Sequence, residues 1–323
     1  MSNEEVRAES KYSDASFKGI LREVVPERCA EIDKLLARHG VTIRADEISQ
    51  RPRFFVDLDT HEITVSTSSM QRIYGHAYAY LSLYQVIEAA QDENPQIREV
   101  AIADERFATA MAVLKWAMRT DAITGHSNGE TGLCLQHYPA DVPRPFDPNN
   151  DDPTHRVAVD VALMTLGLIL LHEVAHLELG HNLTRGPDSL AQEYEADAWA
   201  AAFFLEKCDE YAKAHGHKLT EARGKRLLSL VISELWALHF EVHLGVKTSD
   251  THPPTYDRLP NVLDRHMHAE EWSDLAWAMA ATVLRLHYQA RYDTPDIEMT
   301  PGDYREDYQY YADLLSKKPR LDF

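Results

Sequence analysis

The sequence predicts a mainly α protein of the α+β class, with one small β element in its N-terminal half. Apolar residues recur with helical spacing on both sides of a central loop, and only two short segments resemble strands. Apolar residues form 44% of the chain and charged residues 26%, which is the ordinary balance of a globular protein. A chain of 323 residues can bury a large core without disulfides or structural metal ions.

The N-terminal part predicts helix after a polar tail at residues 1–12. Helical spacing begins at Ser13, and Pro26 is suited to the first turn of a helix that extends to about His39. Gly40 follows and is a typical residue for ending a helix.

Two strands and two further helices are predicted next. Residues 53–58 (RFFVDL) and 62–66 (EITVS) predict a β-hairpin, because three turn-forming residues separate two strand-like segments. Helical spacing returns over residues 69–90 and 105–119.

A long loop divides the chain. Residues 121–156 are rich in Gly, Pro, Asp and Asn, and a loop of this length is usually a functional flap or a domain boundary. The flap and the domain boundary both remain possible interpretations. The predicted division of the chain is an N-terminal region at 1–125, a loop or flap at 126–156 and a helical region at 157–323. The helices predicted in this last region are 157–179, 190–214, 221–244, 256–268, 270–290 and 304–315.

Charge and cysteine content limit the partners and the compartment. The net charge is −19, and such a field repels nucleic acid and anionic membrane surfaces, so neither is an expected partner. The three scattered cysteines suit a reducing compartment, and the acidic first ten residues do not form a signal peptide. The apolar run at 157–171 is too short for a membrane span. A cytoplasmic protein is therefore expected.

The segment His172-Glu173-Val174-Ala175-His176 carries the strongest chemical signal. Residues four apart on a helix lie on one face, so His172 and His176 can offer two imidazole nitrogens to one zinc ion. Glu173 can reach a water molecule at the metal without itself binding the metal. The alternative is that both histidines are core residues whose hydrogen bonds are made within the protein. However, burying two imidazoles and a carboxylate at the end of an apolar helix costs free energy unless they have partners.

The next helix offers a third protein ligand. Glu193 and Asp197 lie four residues apart and share a helix face, whereas Glu195 points roughly to the other side. Glu193 can bind the metal, and Asp197 can fix the remote nitrogen of a ligand histidine. The alternative, a solvated surface charge, suits Glu195 well. His181 lies nine residues after His172, so it is predicted to cap the helix or to lie behind the ligands.

Three segments in this order resemble the gluzincin zinc metallopeptidases of the CAAX prenyl protease and HtpX group. They are HEVAHLELGH at 172–181, EYEAD at 193–197 and THPPTYDR at 251–258, and together they cover about 90 residues. Members of that group are often membrane proteins, whereas this sequence has no convincing span, so their membrane substrates are not expected here.

This resemblance implies a zincin-like fold with a helical HExxH core, and it implies roles for four residues. Glu193 would be the third zinc ligand, and Asp197 would lie behind the ligands. His252 would help to stabilise the oxyanion of the reaction, and Arg258 would brace the acidic helix.

The layout of the chain also resembles the phage-exclusion peptidases of the Lit type. The resemblance consists of a strand and helix region before the HExxH helix and of residues 62–84. Those enzymes are bacterial cytoplasmic peptidases directed at translation elongation factor Tu.

The function predicted from the sequence is therefore a zinc-dependent endopeptidase acting on a cytoplasmic protein or peptide. Zn²⁺ bound by His172, His176 and Glu193 would activate a water, with Glu173 as general base and His252 as oxyanion donor. Two alternatives remain open. One is a partner-triggered phage-exclusion or regulatory peptidase that needs an activating partner, and the other is a silent binding module that retains zinc for stability.

Overall fold

The computed structural model describes residues 12–46, 54–93, 99–101, 105–118, 138–181, 187–236, 238, 252–266, 270–292, 296–298 and 304–317. The helices are α1 Asp14–Val24, α2 Cys29–His39, α3 Thr67–Glu93, α4 Glu105–Met118, α5 Pro153–Glu178, α6 Pro187–Leu205, α7 Cys208–His215, α8 Leu219–Leu235, α9 Thr255–His266, α10 Glu270–Tyr292 and α11 Tyr304–Lys317. The strands are β1 Thr42–Asp46, β2 Phe54–Asp57, β3 Glu62–Ser66, β4 Glu99–Ala101 and β5 Asp296–Glu298. The predicted mainly α class is confirmed.

The first helical region consists of two helices rather than one. Ser13 caps α1, because its Oγ accepts a hydrogen bond from the Ser16 backbone N–H at 3.2 Å. A residue before proline is disfavoured in the helical conformation, and Val25 accordingly adopts φ −135° and ψ 60° and separates α1 from α2. Pro26 begins a short 3₁₀ turn rather than the first turn of α2. Gly40 ends α2 with φ +61°, as glycine readily does.

The predicted hairpin is part of a three-stranded mixed sheet of order β1-β3-β2. Strands β2 and β3 pair antiparallel as expected, with Phe54 opposite Val65 and Val56 opposite Ile63. Strand β1 pairs parallel with β3 and was not predicted, and neither was the antiparallel pair of β4 and β5. Strand β2 is one of the two edge strands and contacts α5.

Helix α5 is the centre of the core, and it contacts α1, α3, α6 and α8. Asp152 caps it by accepting a hydrogen bond from the Thr154 backbone N–H at 3.0 Å, so the helix begins before the predicted start. Gly167 permits close packing on α1, because a Cβ there would lie 2.5 Å from Val24 Cγ2. At 26 residues α5 is longer than the apolar run read from the sequence, and it is long and apolar enough to cross a membrane. However, 67% of its most apolar 18-residue stretch is buried within the structure.

The helix predicted at 190–214 is two helices, α6 and α7. Arg28 Nη1 donates to Phe203 O at 2.8 Å, and Arg226 Nη1 donates to Phe204 O at 2.5 Å. These carbonyls belong to the last turn of α6, where the helix itself provides no donor. Two arginines from distant segments therefore satisfy the end of α6 at this point.

The central loop is described only from residue 138. Tyr138 Oη donates to Pro143 O at 2.6 Å, and the ring of His155, at the start of α5, lies 2.9 Å from Asp147 O. The rest of the predicted flap lies outside the described residues, as does most of the chain after Trp236 in the helix predicted at 221–244. The division into an N-terminal region, a flap and a helical region stays a prediction.

Candidate active site

The C-terminal part of α5 and the middle of α6 place three predicted metal ligands together. His172 and His176 lie one turn apart on α5, and Glu193 projects from α6. One ligand atom of each residue lies within 4.8 Å of the others, and no other such group is found among the residues that the structure describes. The buried residues Ala196 and Ala200 leave room for α6 to approach its neighbours closely.

The geometry of these three side chains suits a zinc ion. Ligand atoms at 2.0–2.1 Å from a tetrahedral zinc lie about 3.3 Å apart. Here the Nε2 atoms of His172 and His176 are 3.1 Å apart, and Glu193 oxygens lie 3.4 Å from the first nitrogen and 3.7 Å from the second. Two imidazoles and a carboxylate are also a usual donor set for catalytic zinc.

The electrostatics of His176 and Glu193 fit metal binding. Burial, and then the neighbouring His172, lower the pKa of His176 to about 3, so its imidazole is neutral at pH 7 and keeps a lone pair for a metal. Burial opposes the ionised form of Glu193, but hydrogen bonds from His172 and His252 hold the pKa of its carboxyl well below the ordinary value. The third donor is therefore an anion.

Asp197 lies behind His172 and is itself paired with Arg258. Asp197 Oδ1 lies 2.8 Å from His172 Nδ1, and Arg258 Nε donates to Asp197 Oδ2 at 2.8 Å while its Nη2 donates to Oδ1. Although burial favours the neutral acid, Arg258 and His172 lower the pKa of Asp197 to about 2. Burial alone would lower the pKa of His172, but Asp197 raises it well above its ordinary value. The Asp197 carboxylate therefore orients the ring of His172, a candidate ligand.

Glu234 on α8 is a buried carboxyl that the sequence interpretation missed. Its Oε2 lies 3.4 Å from Arg258 Nε, so the guanidinium faces two carboxyl groups. Burial and the charge of Asp197 raise the pKa of Glu234 to about 7. A signal for it exists in the sequence, since Glu234 follows the buried Leu230 and Val231 at helical spacing on the apolar face of α8.

Glu173 is buried beside the ligands but is not one of the three grouped donors. Burial and the charge of Glu193 raise the pKa of its carboxyl, while His172 and His252 act in the opposite direction. The backbone N–H of Val56 on β2 also faces this carboxyl and lowers its pKa. This proximity, also missed from the sequence, places the carboxyl next to the edge of the sheet.

His252 lies at the opening of the site, just before α9. Its Nδ1 is 3.2 Å from Glu193 Oε1, and its side chain is 62% exposed. The hydrogen bond to Glu193 raises the pKa of His252. The structure therefore brings the segment that contains His252 and Arg258 to the same site as the HExxH helix.

His181 and Glu195, to which no catalytic role was assigned, also adjoin the ligands. The Nδ1 atoms of His181 and His176 lie 2.9 Å apart, and His181 Nε2 lies 3.2 Å from Glu195 Oε2. Glu195 is 61% exposed, as its predicted orientation implies, but it is paired with His181.

Comparison with known proteins identifies relatives that are peptidases. A family model described as Peptidase U49 matches residues 63–280, a span that includes the three candidate ligands as well as Glu173, Asp197, His252 and Arg258. The chain is 25% identical over 201 residues to the Escherichia coli (strain K12) protein named Cell death peptidase, and this match spans 62% of each chain. No solved structure matches. The predicted resemblance to Lit, the cell death peptidase, is confirmed, and that to the CAAX protease and HtpX group stays a prediction.

Proposed function

Because the chain belongs to the peptidase U49 family, we propose that it is a zinc-dependent endopeptidase that hydrolyses peptide bonds in a cytoplasmic protein. The observation that carries this proposal is the convergence of His172, His176 and Glu193, with Glu173 buried beside them but outside the ligand group. Zinc bound by these three residues would lower the pKa of a water molecule and polarise the carbonyl of the peptide bond.

Glu173 is proposed as the general base of the hydrolysis. Its carboxylate takes the proton of the attacking water and then delivers it to the leaving amine. A raised pKa supports this role, because a base works best when its pKa is close to the working pH.

His252 is proposed to donate a hydrogen bond to the oxyanion that develops on the peptide carbonyl. Its position next to Glu193 and its exposure to solvent allow the ring to contact a substrate. Such a donor acts mainly in the transition state, where the negative charge develops.

A partner-triggered peptidase is the second candidate, because the relative is named Cell death peptidase. The match covers 62% of that protein, so an activating partner and a target such as elongation factor Tu are proposals for this chain. A purified protein with a full complement of zinc that cleaves its target only when the partner is present would favour this candidate. A silent zinc-stabilised module is less well supported, since it does not require a buried Glu173.

Replacement of a ligand tests the zinc site directly. His172→Ala is expected to lose stoichiometric zinc, and Glu193→Ala to bind it at least about 10–100-fold more weakly. Elemental analysis and competition with a chelator measure both effects. Glu221→Ala, which removes an exposed carboxylate, is the control and should bind zinc normally. Full zinc retention in both ligand variants would contradict the site.

Replacement of His252 tests the oxyanion donor. His252→Ala should lower kcat by about 10²–10³-fold, with KM and zinc content nearly unchanged, because the lost interaction is strongest in the transition state. Steady-state kinetics on an identified target measures this split. His217→Ala removes another exposed histidine, which packs against Tyr211, and serves as the control. A raised KM with normal kcat would assign His252 to substrate binding instead.

A further inference from the structure

His181 contacts His176, one of the proposed ligands, at the ring nitrogen that does not face His172. Its side chain is 5% exposed, and its Nδ1 lies 2.9 Å from Nδ1 of His176. The backbone places it there, because Gly180 adopts φ +69° after α5 and the His181 backbone N–H then donates to His176 O at 2.9 Å. The contact is therefore part of the end of the helix.

The proton positions along this contact follow from metal binding. If His176 binds zinc through Nε2, its Nδ1 carries the proton and must donate. The Nδ1 of His181 is then the acceptor, so His181 carries its own proton on Nε2. The Nε2 atom of His181 lies 3.2 Å from Glu195 Oε2, which can accept a hydrogen bond from it. Each ring N–H in this arrangement has one acceptor.

We propose that His181 is a positioning residue that fixes the tautomer and the ring orientation of His176, with Glu195 at the end of the chain of hydrogen bonds. The proposal rests on the zinc site of the proposed function. Nothing in the HExxH pattern requires this residue, since its ring does not belong to the group of three ligands.

The two ligand histidines are thus oriented by different means. Asp197 lies directly behind His172, is almost fully buried and is paired with Arg258. His176 instead meets an imidazole whose carboxylate partner, Glu195, is 61% exposed. An exposed carboxylate contributes less than a buried one, because solvent screens its charge. Replacement of His181 should therefore lower the zinc affinity more than replacement of Glu195.

The test compares His181→Phe with His181→Asn. Phe preserves a buried ring but cannot accept a hydrogen bond, whereas the Asn side-chain oxygen can replace Nδ1 as the acceptor. Zinc affinity from chelator competition should fall about 10–100-fold in His181→Phe and remain within about 3-fold of the wild type in His181→Asn. Glu195→Gln should lower the zinc affinity by less than about 5-fold. The absorption spectrum of the cobalt-substituted protein should change in the Phe variant and be restored in the Asn variant.

The melting temperature of the metal-free protein separates ligand orientation from folding. If His181→Phe does not fold, the comparison is made with His181→Ala and with Glu195→Gln, whose side chain is exposed. Wild-type zinc affinity in the folded His181 variants would overturn the proposal while leaving the zinc site intact. Equal losses in His181→Phe and His181→Asn would also overturn it, since only packing would then matter. A wild-type protein that binds no zinc would instead overturn the proposed function itself.

Discussion

Glu173→Gln is expected to abolish peptide-bond cleavage while the protein keeps its fold and its zinc. The amide has nearly the same shape as the carboxylate, but it cannot accept the proton of the attacking water. Loss of a general base should lower turnover by at least about 10²–10⁴-fold. Zinc should remain, because Glu173 is not among the three grouped ligand atoms.

The measurement compares new protein termini in cells that express the wild type and cells that express Glu173→Gln. Termini that appear only with the wild type identify the target, and kinetics on that target give the size of the effect. Glu178→Gln is a suitable control, because this carboxylate lies on the same helix but pairs with Arg38 and His39. Near wild-type cleavage by Glu173→Gln would contradict the mechanism.

Local spacing on helices could be read from the sequence. His172 and His176 share a face because they lie four residues apart on α5, and Glu193 and Asp197 share a face of α6 for the same reason. The helices on both sides of the central loop follow from the same periodicity, and the hairpin follows from the turn residues between two strand-like segments. Spacing alone did not indicate the contribution of His252, which entered through a resemblance between motifs.

Contacts between distant segments could not be read in this way. The approach of Val56 to Glu173 and the pair formed by Glu234 and Arg258 depend on how β2, α5, α8 and α9 pack. His181 shows a different limit, since its contact with His176 requires the chain to reverse at Gly180. His181 was predicted to cap the helix or to lie behind the ligands, and the left-handed conformation of Gly180 is what brings its ring to His176.

Arg258→Ala is expected to have the largest effect on stability among the site variants. The guanidinium is 19% exposed and faces Asp197 and Glu234, whose side chains are 1% and 6% exposed. Its removal leaves a buried carboxylate without a counter-ion, and breaking such a pair costs about 3–5 kcal/mol. With a shift of about 2–4 °C for each kcal/mol, the melting temperature should fall by about 10 °C.

Zinc affinity should fall in Arg258→Ala as well, because Asp197 orients the ligand ring of His172. Loss of such an outer partner commonly lowers metal affinity about 10–100-fold. Turnover should then fall only as far as zinc occupancy falls, and saturating zinc should restore most of it. In His252→Ala, by contrast, added zinc should not restore turnover.

The dependence of stability on pH gives a further readout of the Arg258 pair. The pKa of Asp197 is about 2 in the folded protein and about 3.9 in an unfolded chain. A carboxyl whose pKa is lowered by folding stabilises the folded protein at a pH above its pKa in the unfolded chain. This contribution is lost as the pH falls through its pKa in the folded protein. Without Arg258 the pKa of Asp197 rises, so the stability difference between wild type and Arg258→Ala should narrow as the pH falls from about 4 to 2.

Two matched variants give this prediction its controls. Arg258→Lys keeps the positive charge but not the two parallel hydrogen bonds, so an intermediate loss of stability and zinc affinity is expected. Arg156→Ala removes an arginine that is 65% exposed and pairs with Asp151 at the surface, and its stability should change by less than about 1 kcal/mol. Melting temperature, zinc content and cleavage rate are measured for each variant. If Arg258→Ala is unchanged in all three while His252→Ala loses zinc, the two residues have the opposite roles, and His252 rather than Asp197 and Arg258 supports the ligands.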